Sequence, residues 1–215
     1  MLKWSTLLDL LRGAGITVAV SGLAIAAGVP LGLLLALARL RRGVLRWLSA
    51  AYSSFVRAAP VVTFTMLIFF GLPALGVSLD PLPAAVIALT LNTAAFNAEI
   101  WRAAIMDFPR GQLEAAQAMG MTGGVAFRRI VFPQIWRASL PALVNEMTLL
   151  IKASPAIAII GVVDLTRKAR QIAATTYEPL PPFVAAAVVY GLALALLVAG
   201  ARRLERTLRR RYGSL

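Results

Sequence analysis

Cysteine and histidine are both absent from this 215-residue chain. Their absence removes disulfides, the usual zinc sites, thiol nucleophiles and histidine general bases together. Acidic residues are scarce as well, nine against 22 Lys and Arg, and charged residues of both signs reach only 14%. No Gly-x-x-x-x-Gly-Lys-Ser/Thr phosphate loop occurs, so any ATP hydrolysis must come from another polypeptide. What remains in abundance is apolar sequence: 60% of positions are hydrophobic and the mean hydropathy is +0.79. Soluble domains sit nearer half apolar and a quarter charged. A chain so depleted in charge suits lipid, and a single all-α integral membrane domain over residues 1–215 is expected.

The apolar sequence falls into five runs. The first extends from Gly13 to Ala38, too long for the apolar region of a cleaved signal peptide and long enough to cross a hydrocarbon layer about 30 Å thick. The others run from about Leu48 to Leu72, Leu82 to Ala103, Ser139 to Val163 and Phe183 to Ala201. The second carries Arg57 near its start and Pro60 a turn later, and the fourth is interrupted by Glu146, Lys152 and Pro155. Between the fourth and fifth lies a mixed loop, Asp164 to Pro182.

The net charge of +13 is not spread evenly. Arg39, Arg41, Arg42 and Arg46 follow the first run, Arg110, Arg128, Arg129 and Arg137 lie between the third and fourth, and six arginines from Arg202 to Arg211 follow the last. Clusters between spans fit the lysine and arginine bias of cytoplasmic loops better than a nucleic-acid surface. Placing them inside gives five transmembrane helices, an outer N-terminus and a cytoplasmic C-terminus. The first and last spans hold no charge between their flanks, as suits helices facing lipid. The middle three hold Arg57, Glu99, Glu146 and Lys152. Ionisable groups within spans face a protein interior or an aqueous path, so the middle helices are expected to line a route or to meet a partner.

Between the third and fourth spans stands Gly-Gln-Leu-Glu-Ala-Ala-Gln-Ala-Met-Gly, about 111–120. Strong helix formers bracketed by glycines predict a short helix outside the membrane, ended by Gly120 in the left-handed conformation. Its small residues Ala115 and Ala116 leave a low surface beside Glu114, which suits a groove on a partner better than a lipid interface.

Glu114-Ala115-Ala116, Gly120 four residues later, then Ile130 and Pro133 with nine residues between Gly120 and Ile130, closely resemble the EAA loop of ATP-binding-cassette import permeases. The flanks Gly111-Gln112, Pro133-Gln134, Arg137 and Pro141 narrow the resemblance to the polar amino acid permeases. So do Thr17, Ala38-Arg39, Arg57 with Pro60, Glu99 with Arg102, Leu150-Ile151-Lys152, Ile160-Gly161 and Tyr177-Glu178-Pro179. The resemblance covers nearly the whole chain. It implies a coupling helix at 111–120 whose Glu114, Ala115, Ala116 and Gly120 engage a separate ATPase subunit. It further implies a second permease subunit, identical or not, and an extracytoplasmic solute-binding protein, in the bacterial inner membrane. ATP and magnesium would sit on the ATPase, with no cofactor or metal in this chain.

For the pathway, Lys152, Ser154, Glu146, Asn145 and Asn97 are the candidates. Lys152 could meet a substrate carboxylate or pair with a carboxylate on a neighbouring helix. Glu146 could take an amino group, or satisfy Lys152 or Arg57. Glu99 and Arg102, at i and i+3, are expected to pair with each other. The chain departs from its relatives at Ala153-Ser154-Pro155, where an acidic residue usually follows the lysine, and at Phe96-Asn97 and Ala58-Ala59. The missing carboxylate at Ala153 argues against a cationic amino acid. The expected function is polar amino acid import without chemistry on this chain. A related solute such as an opine, or a nucleotide-independent secondary transporter, stands as the alternative.

Overall fold

The computed structural model describes residues 4–212, and no strand occurs among them. Helix α1 spans Trp4–Leu40, α2 Val44–Ala58, α3 Val61–Gly71 and α4 Pro81–Met106; the short α5 covers Arg110–Ala118 and the single turn α6 Gly123–Ala126. A π-helical stretch, Phe127–Val131, leads into α7 at Phe132–Ala153, which passes into a 3-10 helix at Ser154–Ile160. Helices α8, Leu165–Thr176, and α9, Leu180–Tyr212, complete the chain. The side chains of Arg209, Arg210 and Arg211, part of the basic tail, lie outside the described residues.

Four helical runs are long and apolar enough to cross a membrane, and a fifth crossing requires α2 and α3 together. Those two do not form the straight span expected from about Leu48 to Leu72. They meet at an angle of 114°. The cause is Pro60, which has no amide hydrogen and forces its predecessor out of the helical region. Ala59 accordingly sits at φ −78°, ψ 134° and Pro60 at φ −57°, ψ 134°.

Packing is centred on α4, against which α1, α2, α3 and α7 all lie. The α1–α4 contact is the closest. A Cβ at Gly32 would come within 2.6 Å of Asn97 Cβ, and one at Gly28 would overlap the Thr93 methyl. Small residues let two backbones approach where apolar burial gives no preference over lipid. Trp101 Nε1 donates to the Val29 carbonyl at 3.1 Å, and Thr17 and Ser21 are buried. The expectation that α1 simply faces lipid therefore fails: one of its faces is core. Helix α9 does keep an outer position, with only 6% of its apolar window buried.

Two segments placed outside the expected spans are helical. Arg128, Arg129 and Arg137 lie on a helical run continuous from Gly123 to Ile160. The π turn there suits Pro133, because the wider turn makes room for a ring that would crowd the carbonyl four residues back in a regular α-helix. The stretch expected as a mixed loop after the fourth span contains α8. Its start is written in Asp164, which caps the helix by accepting the Arg167 amide at 2.8 Å.

Candidate functional site

Helix α5 ends in a full Schellman motif. The Gly120 amide donates to the Gln117 carbonyl at 2.9 Å and the Met121 amide to the Ala116 carbonyl at 3.0 Å, with Gly120 at φ +75°. A side chain at that position would be strained. Ala116 is buried against the body of the protein, whereas Glu114 and Ala115 are exposed and Met119 is 82% exposed. The helix is held at its base by a 2.7 Å bond from the Gln134 amide on α7 to Gln112. The predicted segment is thus one surface element, with Glu114, Ala115 and Gly120 outward and Ala116 as its anchor.

Next to α5, a cavity of about 600 Å³ opens between α4 and α7, bordered by Glu99, Asp107, Gln112, Gln134 and Ser139. Glu99 is a hub. Arg102 donates to it at 2.9 Å, Arg39 of α1 pairs with the same carboxylate, and Arg57 of α2 stands 3.7 Å away. The Glu99–Arg102 pair expected from their spacing is present, and two further helices join it. Arg57 also lies over the Phe96 ring, 5.6 Å from its centroid.

Deeper between the same helices, Glu146 is buried. It accepts a hydrogen bond from Thr93 Oγ1 at 3.3 Å, and Asn97 Nδ2 donates to that same hydroxyl at 3.2 Å. Asn97 Oδ1 is buried with no partner among the described residues. Glu146 and Asn97, separate candidates in the sequence, are therefore joined through Thr93. Sequence reasoning passed over Thr93, although its spacing of four from Asn97 in an otherwise apolar span was a readable signal.

Lys152 does not pair with Glu146. It is exposed and has no ion-pair partner among the described residues. The two sit six residues apart on α7, which turns them to different faces. Asn145 shares the exposed face with Lys152, together with Ala138, Ala142 and Leu149. Ser154 turns the other way: it is fully buried, with its hydroxyl on the Ile151 carbonyl at 2.8 Å.

At the opposite end from α5, Asp164 is fully buried and joins three helices. It caps α8, and the Tyr190 hydroxyl of α9 approaches at 3.5 Å while also meeting Thr166 at 3.1 Å. Thr17 of α1 accepts the Leu165 amide at 3.2 Å. Burial pushes the Asp164 carboxyl above the ordinary aspartate range, against the amides and the hydroxyl that hold it down. The sequence held no clue to this junction beyond an isolated acidic residue before a polar stretch.

Residues 28–210 match the family described as the binding-protein-dependent transport system inner membrane component. This chain belongs to that family. It is 36% identical over 202 residues to the arginine transport system permease protein ArtQ of Bacillus subtilis, covering 93% of this chain and 92% of ArtQ. The glutamine transport system permease protein GlnP of Escherichia coli is 32% identical over 209 residues, 96% of this chain and 95% of GlnP. The octopine transport system permease protein OccM of Rhizobium meliloti is 35% identical over 197 residues, 87% and 80% of the two chains. Among solved structures, the crystal structure of an amino acid ABC transporter with histidines superposes with a TM-score of 0.84 at 30% identity, covering 96% of this chain and 99% of that one. The chain is thus an inner-membrane permease subunit of an ATP-binding-cassette importer, and a secondary transporter is set aside.

Proposed function

We propose that this permease imports polar amino acids, with α5 as the coupling helix that a separate ATPase subunit grips. The observation that carries the coupling role is α5 itself. It is a short helix, rigidly ended at Gly120, tied to α7 through Gln112 and Gln134, and open to solvent at Glu114 and Ala115. A helix anchored on one face and bare on the other suits a groove on a partner. In this reading α5 is cytoplasmic, the chain crosses the membrane five times with its N-terminus outside, and α2–α3 is the second crossing. ATP and magnesium belong to the ATPase. A second permease, identical or different, completes the channel, and an extracytoplasmic binding protein delivers the solute.

The substrate class rests on the names of the relatives, which span arginine, glutamine and octopine. The pathway is assigned to the exposed face of α7, where Lys152 and Asn145 are available to a substrate carboxylate. Behind it Glu146 and Asn97 supply buried polarity through Thr93, and Ser154 orders the turn after the helix. Uptake of an amino acid derivative is the second reading. It is favoured by the likeness to OccM.

Reconstitution with the ATPase and binding protein, assayed for ATPase stimulation over a panel of amino acids and opines, tests the substrate class. Gly120→Val and Glu114→Lys test the coupling role. Uptake is expected to fall by roughly tenfold or more, the scale of a lost coupling term, while the protein still inserts and melts normally. Unchanged uptake in both variants refutes the coupling assignment.

A further inference from the structure

Helix α2 does not climb as a crossing helix must. Gly28 lies against Thr93 and Gly32 against Asn97, so α1 and α4 run parallel in a register that sets Leu35 opposite Ile100. The Ser49 hydroxyl of α2 donates to the Leu35 carbonyl at 2.9 Å, and Arg57, at the other end of α2, stands 3.7 Å from Glu99. The stretch from Ser49 to Arg57, about 12 Å of helix, therefore begins and ends at one level of the α1–α4 pair. Helix α3 does climb, since Phe64 and Ile68 pack with Ala95 and then Leu91 of α4. The 114° between α2 and α3 follows.

That level is the edge of the hydrocarbon. Helix α4 carries no charge from Pro81 to Ala98, about 27 Å at 1.5 Å per residue. A hydrocarbon layer is about 30 Å thick. Glu99 is the first ionisable group beyond this stretch, and its partner Arg39 is the last residue but one of α1. Helix α2 thus lies across the spans where acyl chains meet headgroups, on the side of the bilayer that bears α5.

Its surface is divided to match. Ser49, Ser53 and Val56 are buried against the body of the protein. Val44, Leu48, Ala51 and Phe55 follow one another at i, i+4, i+7 and i+11, a single apolar stripe. Val44, Leu48 and Phe55 are each more than half exposed. Arg46 is two residues from both Val44 and Leu48, which turns it to the opposite side. It is exposed, as are Arg41 and Arg42 just before the helix, and none of the three has an ion pair among the described residues. Trp47 flanks the stripe and is 76% exposed, as suits a ring at a membrane–water boundary.

We propose that α2 lies in the plane of the bilayer, with its apolar stripe in the acyl layer and Arg41, Arg42 and Arg46 on the phosphates of anionic phospholipids. An aqueous partner would leave the stripe in water, and a partner within the membrane would leave three arginines unmatched. A layer of anionic phospholipid satisfies both faces. The second crossing is then the climb of Val61–Leu75, and α2 is its threshold. The proposal depends on the membrane embedding of the chain and not on its cargo or its coupling helix.

Spin labels in the assembled transporter, reconstituted in phosphatidylcholine vesicles with phosphatidylglycerol, test the placement. The chain has no cysteine, so Leu48→Cys, Phe55→Cys and Arg46→Cys give single sites. Relaxation by oxygen and by a water-soluble nickel chelate should put the labels at 48 and 55 at one shallow depth and the label at 46 in water. A crossing helix would separate 48 from 55 by about 10 Å in depth, and that result overturns the proposal. Spin–spin broadening between two copies at 48 or 55 would give the stripe to a second permease and also overturn it. Native mass spectrometry reads the headgroup contact. The parent should retain phosphatidylglycerol over phosphatidylcholine, and Arg41→Gln, Arg42→Gln and Arg46→Gln should each lower that preference about fivefold. A preference unchanged in all three variants removes the arginines from the proposal and leaves it overturned.

Discussion

Glu99 and Glu146 lie on the same α4–α7 contact, yet they are treated in opposite ways. Glu99 gathers Arg39, Arg57 and Arg102 from three helices and remains partly exposed beside the cavity near α5. Glu146, deeper and more buried, has one hydroxyl from Thr93. The first arrangement is a brace: a carboxylate that three guanidinium groups need cannot be released cheaply. The second is a weakly held polar group in the middle of a membrane protein. Such groups are costly to keep and are retained where a path or a partner uses them. Within one interface, then, the fully paired carboxylate carries architecture, and the thinly paired one is where the proposed transport role would lie.

Three substitutions, and a fourth that should rescue one of them, bear on that contrast. The largest loss is expected from Glu99→Ala, which leaves three cations without their shared anion; the pairs are only part-buried, and losing them together should cost about 2–3 kcal/mol. Melting in detergent should fall steeply, and a normal melting temperature would mean the hub is ornamental. Gly28→Ala comes next. It forces α1 away from Thr93 and should cost about 2 kcal/mol through overpacking. Adding Thr93→Ser removes the obstructing methyl yet keeps the hydroxyl for Glu146, so most of the stability should return. If it does not, the Gly28 contact is not what sets the α1–α4 spacing. The smallest structural effect belongs to Glu146→Gln, at about 1 kcal/mol, because the amide keeps volume and can still accept from Thr93. Uptake should nevertheless drop. Equal melting losses for Glu99→Ala and Glu146→Gln would erase the distinction between brace and path.

The short helix α5 and its stop at Gly120 were fully legible, because their signals are local. Helix formers between two glycines specify both the helix and its left-handed stop, with no need of distant residues. The apolar runs were legible for the same reason. What could not be read was determined by which helix lies against which. Arg39 and Arg57 are far from Glu99 in sequence and meet it only through packing. Gly28 and Gly32 carry no message until Thr93 and Asn97 stand opposite them. The break at Pro60 was visible as a proline, but its 114° angle depends on where α3 finds room against α4. Helix α8 was hidden by its polarity, although Asp164 was a serviceable cap signal.

Gly28, Gly32, Val29–Trp101 and Arg39–Glu99 fasten α1 to α4 at successive heights. Trp101 also stacks on Trp136 of α7 at 5.7 Å, on the run that rises from α5. In mechanical terms α1 and α4 are one beam, and under the proposed coupling a push through α7 would reach it at Trp101. A beam of this kind transmits load without flexing, so the compliance of the permease has to reside in its backbone interruptions. Those are the elbow at Ala59–Pro60 and the loosened turn that closes at Gly161.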